Sequence, residues 1–448
     1  MTDVRAEIPA KYKWDLTAIY PDMDAFNADY DRAKEMIAKF PAHKDTMLTS
    51  AEALYAMFCD MTELGRVLNL LYSYASLNSD VDTSDNSYVS LKGRVMNLDN
   101  DLSAAAFFVD PYLLRLDDET IEKWYEEFPK LKEYRRSIDA SLRYRPHTLS
   151  DDQEKLMADL SGGFHTHGNI RSTFSNADLT FGKIKGEDGK PVTLTDSTYG
   201  IFLQSGNRRV RKAAFDKIYA TYSSFGNTYA ALMNSFVKER TIYAKVRNFP
   251  DSITASVFRD EVTPAIYNNL CDTVSKNLKP LYDYYALKKK ALGVPKLHLY
   301  DIYTPLISSC DRKYTYEEAV DIVLDAIKIF GEEYHSTLTA GLKEKGWADV
   351  YPNKGKRGGA YSSGCYDTEP YILLNYTDTL SDVSTLAHEA GHSMHSYFSA
   401  KANTPQESHY TIFVAEVAST VNELIMARKK LRESESDMEK LSVLNHIM

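Results

Sequence analysis

The chain has 448 residues, 44% hydrophobic and 26% charged, the balance of an ordinary globular protein rather than a disordered one. At a soft guide of roughly 100–200 residues per domain this length allows about two to four domain-sized units, or one large one. With 63 acidic against 53 basic residues the formal net charge is −10, which argues against a general nucleic-acid binder.

The start, MTDVRAEIPAKYKWDL, has no apolar core of a secretory leader. No later run approaches the ~20 apolar residues of a membrane span. From about residue 20 to 160 apolar side chains recur at spacings of three and four, the helical period. The polar run 79–87, SDVDTSDNS, is expected to be a loop, and Pro111 and Pro129 mark further breaks. Residues 179–184 alternate apolar and polar, a Gly/Asp turn follows at 186–189, and 191–194 alternates again, so a β-hairpin is expected there. His165 and His167 follow a Gly-Gly pair and are read as loop residues. Helices are expected from near 207 to 245, from Pro264 to about Leu292, and from the capping box at Thr315–Glu318 onward. The basic, glycine-rich segment 351–359 matches no phosphate loop. Two short strands are expected within 360–366 and 370–376, and the glycine-rich loop at 355–364 is a candidate mobile flap. The chain ends on LSVLNHIM, which reads as helix interior and suggests a natural end further on.

The four cysteines, Cys59, Cys271, Cys310 and Cys365, form no CxxC pair, so a reducing cytoplasm is the expected location. Tyrosine is frequent, at 32 residues, and suits either a peptide groove or amphipathic helix packing.

The helix opening at Thr379 contains His388-Glu389-x-x-His392. Zinc wants neutral imidazoles aimed at one point, and positions i and i+4 of a helix supply two. The glutamate beside the first histidine can hold a water at the metal. Val383, Ala387, Ala390, Met394 and Tyr397 fall on an apolar stripe, with His388, His392 and His395 nearly opposite. The longer HExxHxxGxxH pattern is absent, because His395 and Phe398 occupy its last two positions. A third ligand is therefore sought on the next helix, 411–428, where Glu416 and Glu423 share a face. Glu416 lies in the apolar run FVAEVAS, where an unpaired carboxylate would be costly and a metal would relieve that cost. Glu423 is read either as a carboxylate orienting a ligand histidine or as a surface charge. His395 acts on substrate or structurally. His409 donates to a developing oxyanion or is a loop residue.

TLAHEAGHSMHSYFS followed by FVAEVASTVNE resembles the M3 family of zinc metallopeptidases, and more closely its oligoendopeptidase F group. Trp14-Asp15-Leu16-Thr17, the segments 297–303 and 355–362, and Tyr371–Tyr376 extend the resemblance over nearly the whole chain. It implies a mainly α, two-lobed zincin-like shell around a deep substrate channel, with a small β-sheet near the metal. It implies one zinc ion on His388, His392 and Glu416, Glu389 as general base, and short unstructured oligopeptides as substrates. A peptide would add to an edge of the 360–376 strands, with Gly359 and Tyr361 as substrate-side candidates. The expected regions are 1–110, helical; 111–200, helical and ending in the hairpin; and 201–448, catalytic. Family members continue past the metal helices with tyrosine and histidine donors, so a truncated chain, a second chain supplying that part, or a defective product are the readings. The expected function is a zinc-dependent endopeptidase acting through a metal-activated water. The alternatives are a zinc-binding chain that holds peptides without cutting them, and a cysteine hydrolase using Cys365.

Overall fold

In a computed structural model, the structure describes residues 4–160, 164, 166–306 and 312–447. Cys310 and His165 lie outside the described residues. The chain opens with the long helices α1 (Met23–Lys39), α2 (Ala51–Val81) and α3 (Asn86–Ala105), followed by shorter helical pieces. The hairpin β1 (Lys183–Lys185) and β2 (Pro191–Thr193) comes next, then α4 (Arg208–Ser224), α5 (Gly226–Val246), α6 (Pro264–Lys276) and α7 (Lys279–Ala291). The remainder carries α8 (Tyr316–Ala326), α9 (Glu332–Lys343), the strands β3 (Ala348–Asp349), β4 (Tyr361–Ser363) and β5 (Tyr371–Leu373), then α10 (Leu380–Ala402), α11 (Ile412–Glu433) and α12 (Asp437–Ile447). The fold is mainly α, with a small sheet, as expected.

Contacts divide the chain into Met1–Arg145 with Asp311–Met448, and Pro146–Cys310. This differs from the three consecutive regions drawn from the sequence. The reason lies at the N-terminus. Trp14 is buried against Tyr371, with ring centroids 6.2 Å apart, in a cluster that also takes in Leu77, Val81 and Leu373. The Tyr371 hydroxyl donates to the Asp15 carbonyl at 3.0 Å. The opening segment is therefore part of the core under the sheet.

In that first unit the strands order as β3-β5-β4, parallel between β3 and β5 and antiparallel between β4 and β5. β5 is central and buried throughout, and β3 and β4 are the two edge strands. The main core gathers α8, Trp347, Ile372 and the apolar back of α10, where Val383, Leu386, Ala387, Ala390 and Met394 are fully buried. Capping boxes start α8 at Thr315 with Glu318 and α10 at Thr379 with Asp382.

Two local expectations change here. α2 runs through Ser79–Val81 instead of stopping before the polar run, leaving only 82–85 as loop. Asp80 explains this: it is buried, accepts from Tyr361 Oη at 2.8 Å and Arg357 Nη1 at 3.1 Å, and its carbonyl takes the Arg357 N–H. The glycine-rich segment is also tied down rather than a flap. The Lys356 ammonium is fully buried, 2.7 Å from Asp349, and donates to the Asp349 and Tyr351 carbonyls. Gly355 O accepts from both the backbone and the hydroxyl of Thr83.

In the second unit the hairpin pairs Lys183 with Thr193 and Ile184 with Val192 and packs on α4. Buried Asp301 binds Arg208 and Arg211, fixing segment 297–303 to the start of α4. His167 sits in the helix Thr166–Thr173, 3.2 Å from Glu239, rather than in a loop. The helix expected over 264–292 breaks at 277–278, and Pro280 falls in the first turn of α7. Proline has no N–H and clashes with the carbonyl four residues back, which stops the earlier helix.

Candidate metal centre

Helices α10 and α11 pack against each other, and the contact depends on one glycine. A Cβ on Gly391 would meet Ser419 Cα at 2.7 Å and Ala418 O at 2.8 Å. Only a residue without a side chain permits this approach of two backbones. It brings the histidine front of α10 against the glutamates of α11.

His388 Nε2 and His392 Nε2 are 3.1 Å apart, and Glu416 Oε2 is 3.3 Å from the first and 3.5 Å from the second. These three are the one group among the described residues whose ligand atoms could jointly hold a metal ion. Ligand atoms placed tetrahedrally at roughly 2.0–2.1 Å from zinc stand about 3.3–3.4 Å from one another. The observed triangle fits that edge length, with two nitrogens and one oxygen as donors.

The outer contacts fit as well. His388 Nδ1 is 2.6 Å from Glu423 Oε1. A carboxylate only accepts, so Nδ1 carries the proton and Nε2 is left with its lone pair facing the cluster. Glu423 is held in turn by the Ser384 hydroxyl at 3.1 Å. Burial, then the nearby His388, holds the His392 imidazole below its ordinary range, which favours the neutral form that binds metals. The Ser419 hydroxyl lies 3.0 Å from both Glu416 Oε2 and the Glu416 carbonyl, with its one proton to share between them.

Glu416 departs from the argument made for it from sequence. Its side chain is 56% exposed, and Phe413, Val414 and Val417 around it are exposed too. Apolar neighbours in sequence did not make a buried environment, so no desolvation cost calls for a metal. Geometry alone puts Glu416 in the cluster.

Glu389 projects beside the triangle and is buried. Burial pushes its carboxyl up to about 7, while His388 and a hydrogen bond from the Ser362 N–H pull the other way. A carboxyl so placed can take and return a proton near neutral pH.

The remaining candidates lie elsewhere. His395 stacks on Tyr410, with centroids 3.7 Å apart, and its Nδ1 is buried with no hydrogen-bond partner among the described residues. His409 is exposed in the loop before α11, and among the described residues no contact joins it to the cluster. With Tyr410, Tyr397 and Ser363 it lines a cavity of about 750 Å³ that begins where β4 ends. Tyr361 spends its hydroxyl on Asp80. Gly359 makes a turn at φ 85°, and its carbonyl accepts from Asn375. Cys365 lines the same cavity, but burial pushes its thiol up, the reverse of an activated nucleophile. Gly391, Ser384 and Ser419 were missed from sequence. The signal available was the small residues recurring on the facing sides of two adjacent helices.

Residues 201–447 match peptidase family M3, and residues 113–181 match the family described as oligopeptidase F. The chain is 38% identical over 444 residues to oligopeptidase PepF of Bacillus subtilis, covering 99% of this chain and 66% of that protein. It is 36% identical over 450 residues to an oligoendopeptidase F homolog of Lactococcus lactis, covering 100% and 74%. A crystal structure from Chlamydophila abortus superposes with a TM-score of 0.88 at 34% identity, over 100% of this chain and 75% of that one. Oligoendopeptidase-F from Enterococcus faecium gives 0.67 at 32% identity, over 94% and 70%. The chain thus spans about two thirds to three quarters of the length of these relatives. On the helix pair that carries the two histidines and the glutamate, and on these matches, the chain belongs to peptidase family M3, among the oligoendopeptidase F metallopeptidases.

Proposed function

We propose that this chain is a zinc-dependent endopeptidase of short, unstructured oligopeptides, with His388, His392 and Glu416 holding the metal and Glu389 as general base. One observation carries the reading: three donor atoms 3.1–3.5 Å apart, two of them imidazole Nε2 atoms, beside a buried carboxyl. Zinc bound there supplies Lewis-acid polarisation of the scissile carbonyl and lowers the pKa of a water. Glu389 takes a proton from the attacking water and returns it to the departing amine. Glu423 keeps the His388 proton on Nδ1 and so keeps Nε2 available as a ligand.

The edge strand β4 offers an extended peptide the backbone groups on the side away from β5. Pairing there gives affinity without demanding a particular sequence, and side chains beyond Ser363 would enter the adjoining cavity. Cytoplasmic residence belongs to the same reading, supported by the unpaired Cys59, Cys271 and Cys365.

The test is cleavage of a quenched-fluorescent peptide with and without a chelator, then with zinc added back. Cleavage lost to the chelator and restored by zinc supports the reading. A chain that carries stoichiometric zinc and binds the peptide but does not cut it would refute the assignment as an active endopeptidase.

A further inference from the structure

The row of α10 that carries the metal ligands continues past them. His388, His392, Ser396 and Ala400 stand four apart, a row of neighbours that winds slowly along the helix. Ser396 and Ala400 line the cavity of about 750 Å³ that begins where β4 ends. Ser396 follows His392 by one turn, about 6 Å along the axis. An extended peptide advances about 3.3 Å per residue, so the cavity opens roughly one or two peptide residues from the bond held at the metal. Strand β4 leads to the same place. The Ser362 hydroxyl lies 2.8 Å from the Ser393 hydroxyl of α10, and the next residues, Ser363 and Gly364, line the cavity.

The lining decides which side chain fits. Tyr366, Tyr397 and Tyr410 line the cavity half-buried, with their hydroxyls already engaged. Tyr366 Oη donates to the Asn403 carbonyl at 3.2 Å, Tyr410 Oη is 2.8 Å from the Ser396 hydroxyl, and Tyr397 Oη is 3.5 Å from Glu333. The charges are engaged too. Asp367 accepts from two Arg66 nitrogens at 2.5 and 2.9 Å, Glu369 accepts from Lys345 and the Trp347 indole N–H, and Lys401 pairs with Glu333. Among the described residues, no carboxylate or ammonium of the lining is left over. A charged guest would lose water without gaining an ion partner, whereas the ring faces offer an apolar guest contact area.

We propose that this cavity selects the substrate by taking a bulky apolar side chain, aromatic above all, from a residue within two positions of the scissile bond. The proposal rests on the chain being an endopeptidase at this metal centre. Quenched-fluorescent peptides carry Phe, Leu, Ala, Lys or Glu in turn at each of the two positions on either side of the cleaved bond, which mass spectrometry locates. At one of those positions the wild type is expected to favour Phe over Ala in kcat/KM by roughly 10-fold or more, and to favour neither Lys nor Glu over Ala. Ala400→Leu fills the cavity from a helix position that leucine suits. It should cut the Phe-to-Ala ratio at that position roughly 10-fold, leave the ratios at the other positions alone, and leave zinc content unchanged. If Ala400→Leu does not fold, Ser363→Leu, on the exposed end of β4, narrows the same cavity. Binding is read separately in Glu389→Gln by fluorescence anisotropy. There the Phe peptide should bind more tightly than the Ala peptide, and adding Ala400→Leu should shrink the difference.

No preference at any of the four positions, a preference for charged residues, or a ratio unmoved by the leucine variants would each overturn the proposal. Equal losses on the Phe and Ala peptides would do so too, as the mark of a general structural effect. If the wild type cuts no peptide, the endopeptidase reading fails by itself. The Phe-to-Ala binding ratio, with and without Ala400→Leu, then decides whether the cavity holds the side chain.

Discussion

Substituting Gly391 by alanine tests the helix contact on which the cluster depends. The added Cβ would stand 2.7 Å from Ser419 Cα, and reaching an ordinary contact of 3.4 Å requires α11 to retreat by about 0.7 Å. The obstacle is backbone, not the end of a flexible side chain, so no rotamer change relieves it. Overpacking of this kind costs roughly 1–3 kcal/mol. Alanine in a helix interior returns about 1 kcal/mol relative to glycine. The net expectation is a loss of about 0–2 kcal/mol of stability, so zinc affinity is the more decisive reading. The retreat carries Glu416 and Glu423 away from His388 and His392, so zinc affinity should fall roughly 10-fold or more. Stability is read by denaturant unfolding and affinity by chelator competition. Gly65 in α2, with nothing within 4 Å of its would-be Cβ, is the control, and Gly65→Ala should be neutral or stabilising. If Gly391→Ala were as stable as wild type and bound zinc equally well, the backbone approach would not be what holds the site together.

Further outcomes follow from the same geometry. Glu389→Gln should keep zinc and lose about 100-fold or more in kcat, measured at saturating peptide. Glu416→Ala should lose stoichiometric zinc on dialysis, since two imidazoles remain where three protein ligands are needed; retained zinc would remove Glu416 from the set. Glu423→Ala should weaken zinc binding roughly 10- to 100-fold in chelator competition, because His388 loses the partner that fixes its tautomer. Tyr361→Phe should cost about 1–2 kcal/mol in denaturant unfolding, through the lost bond to buried Asp80, and leave zinc content unchanged.

Much of the site was readable from local pattern. Two histidines four apart on a capped helix with an apolar back need only the helical period to be placed on one face, and α10 places them so. The hairpin and the capping boxes are equally local, being decided within a few residues. Other features depend on partners far away in the chain. Ser79 and Asp80 look like loop residues, yet they complete α2 because Arg357 and Tyr361 arrive to satisfy Asp80. The run around Glu416 looks like core, yet it is exposed, because hydrophobicity of neighbours in sequence does not say which face of a helix is covered.

The sequence by itself determined the chemistry: the donor types, the spacing of the imidazoles, the glutamate beside them and the helices that bear them. Only the tertiary structure decided how those parts meet. It brought Glu416 and Glu423 to opposite sides of His388 and made Gly391 a point where the two helix backbones approach closely. Local periodicity fixes which side chains share a face. The distance between two faces depends on packing between separate elements, as of Gly391 against Ser419, and the period of either helix alone does not contain it.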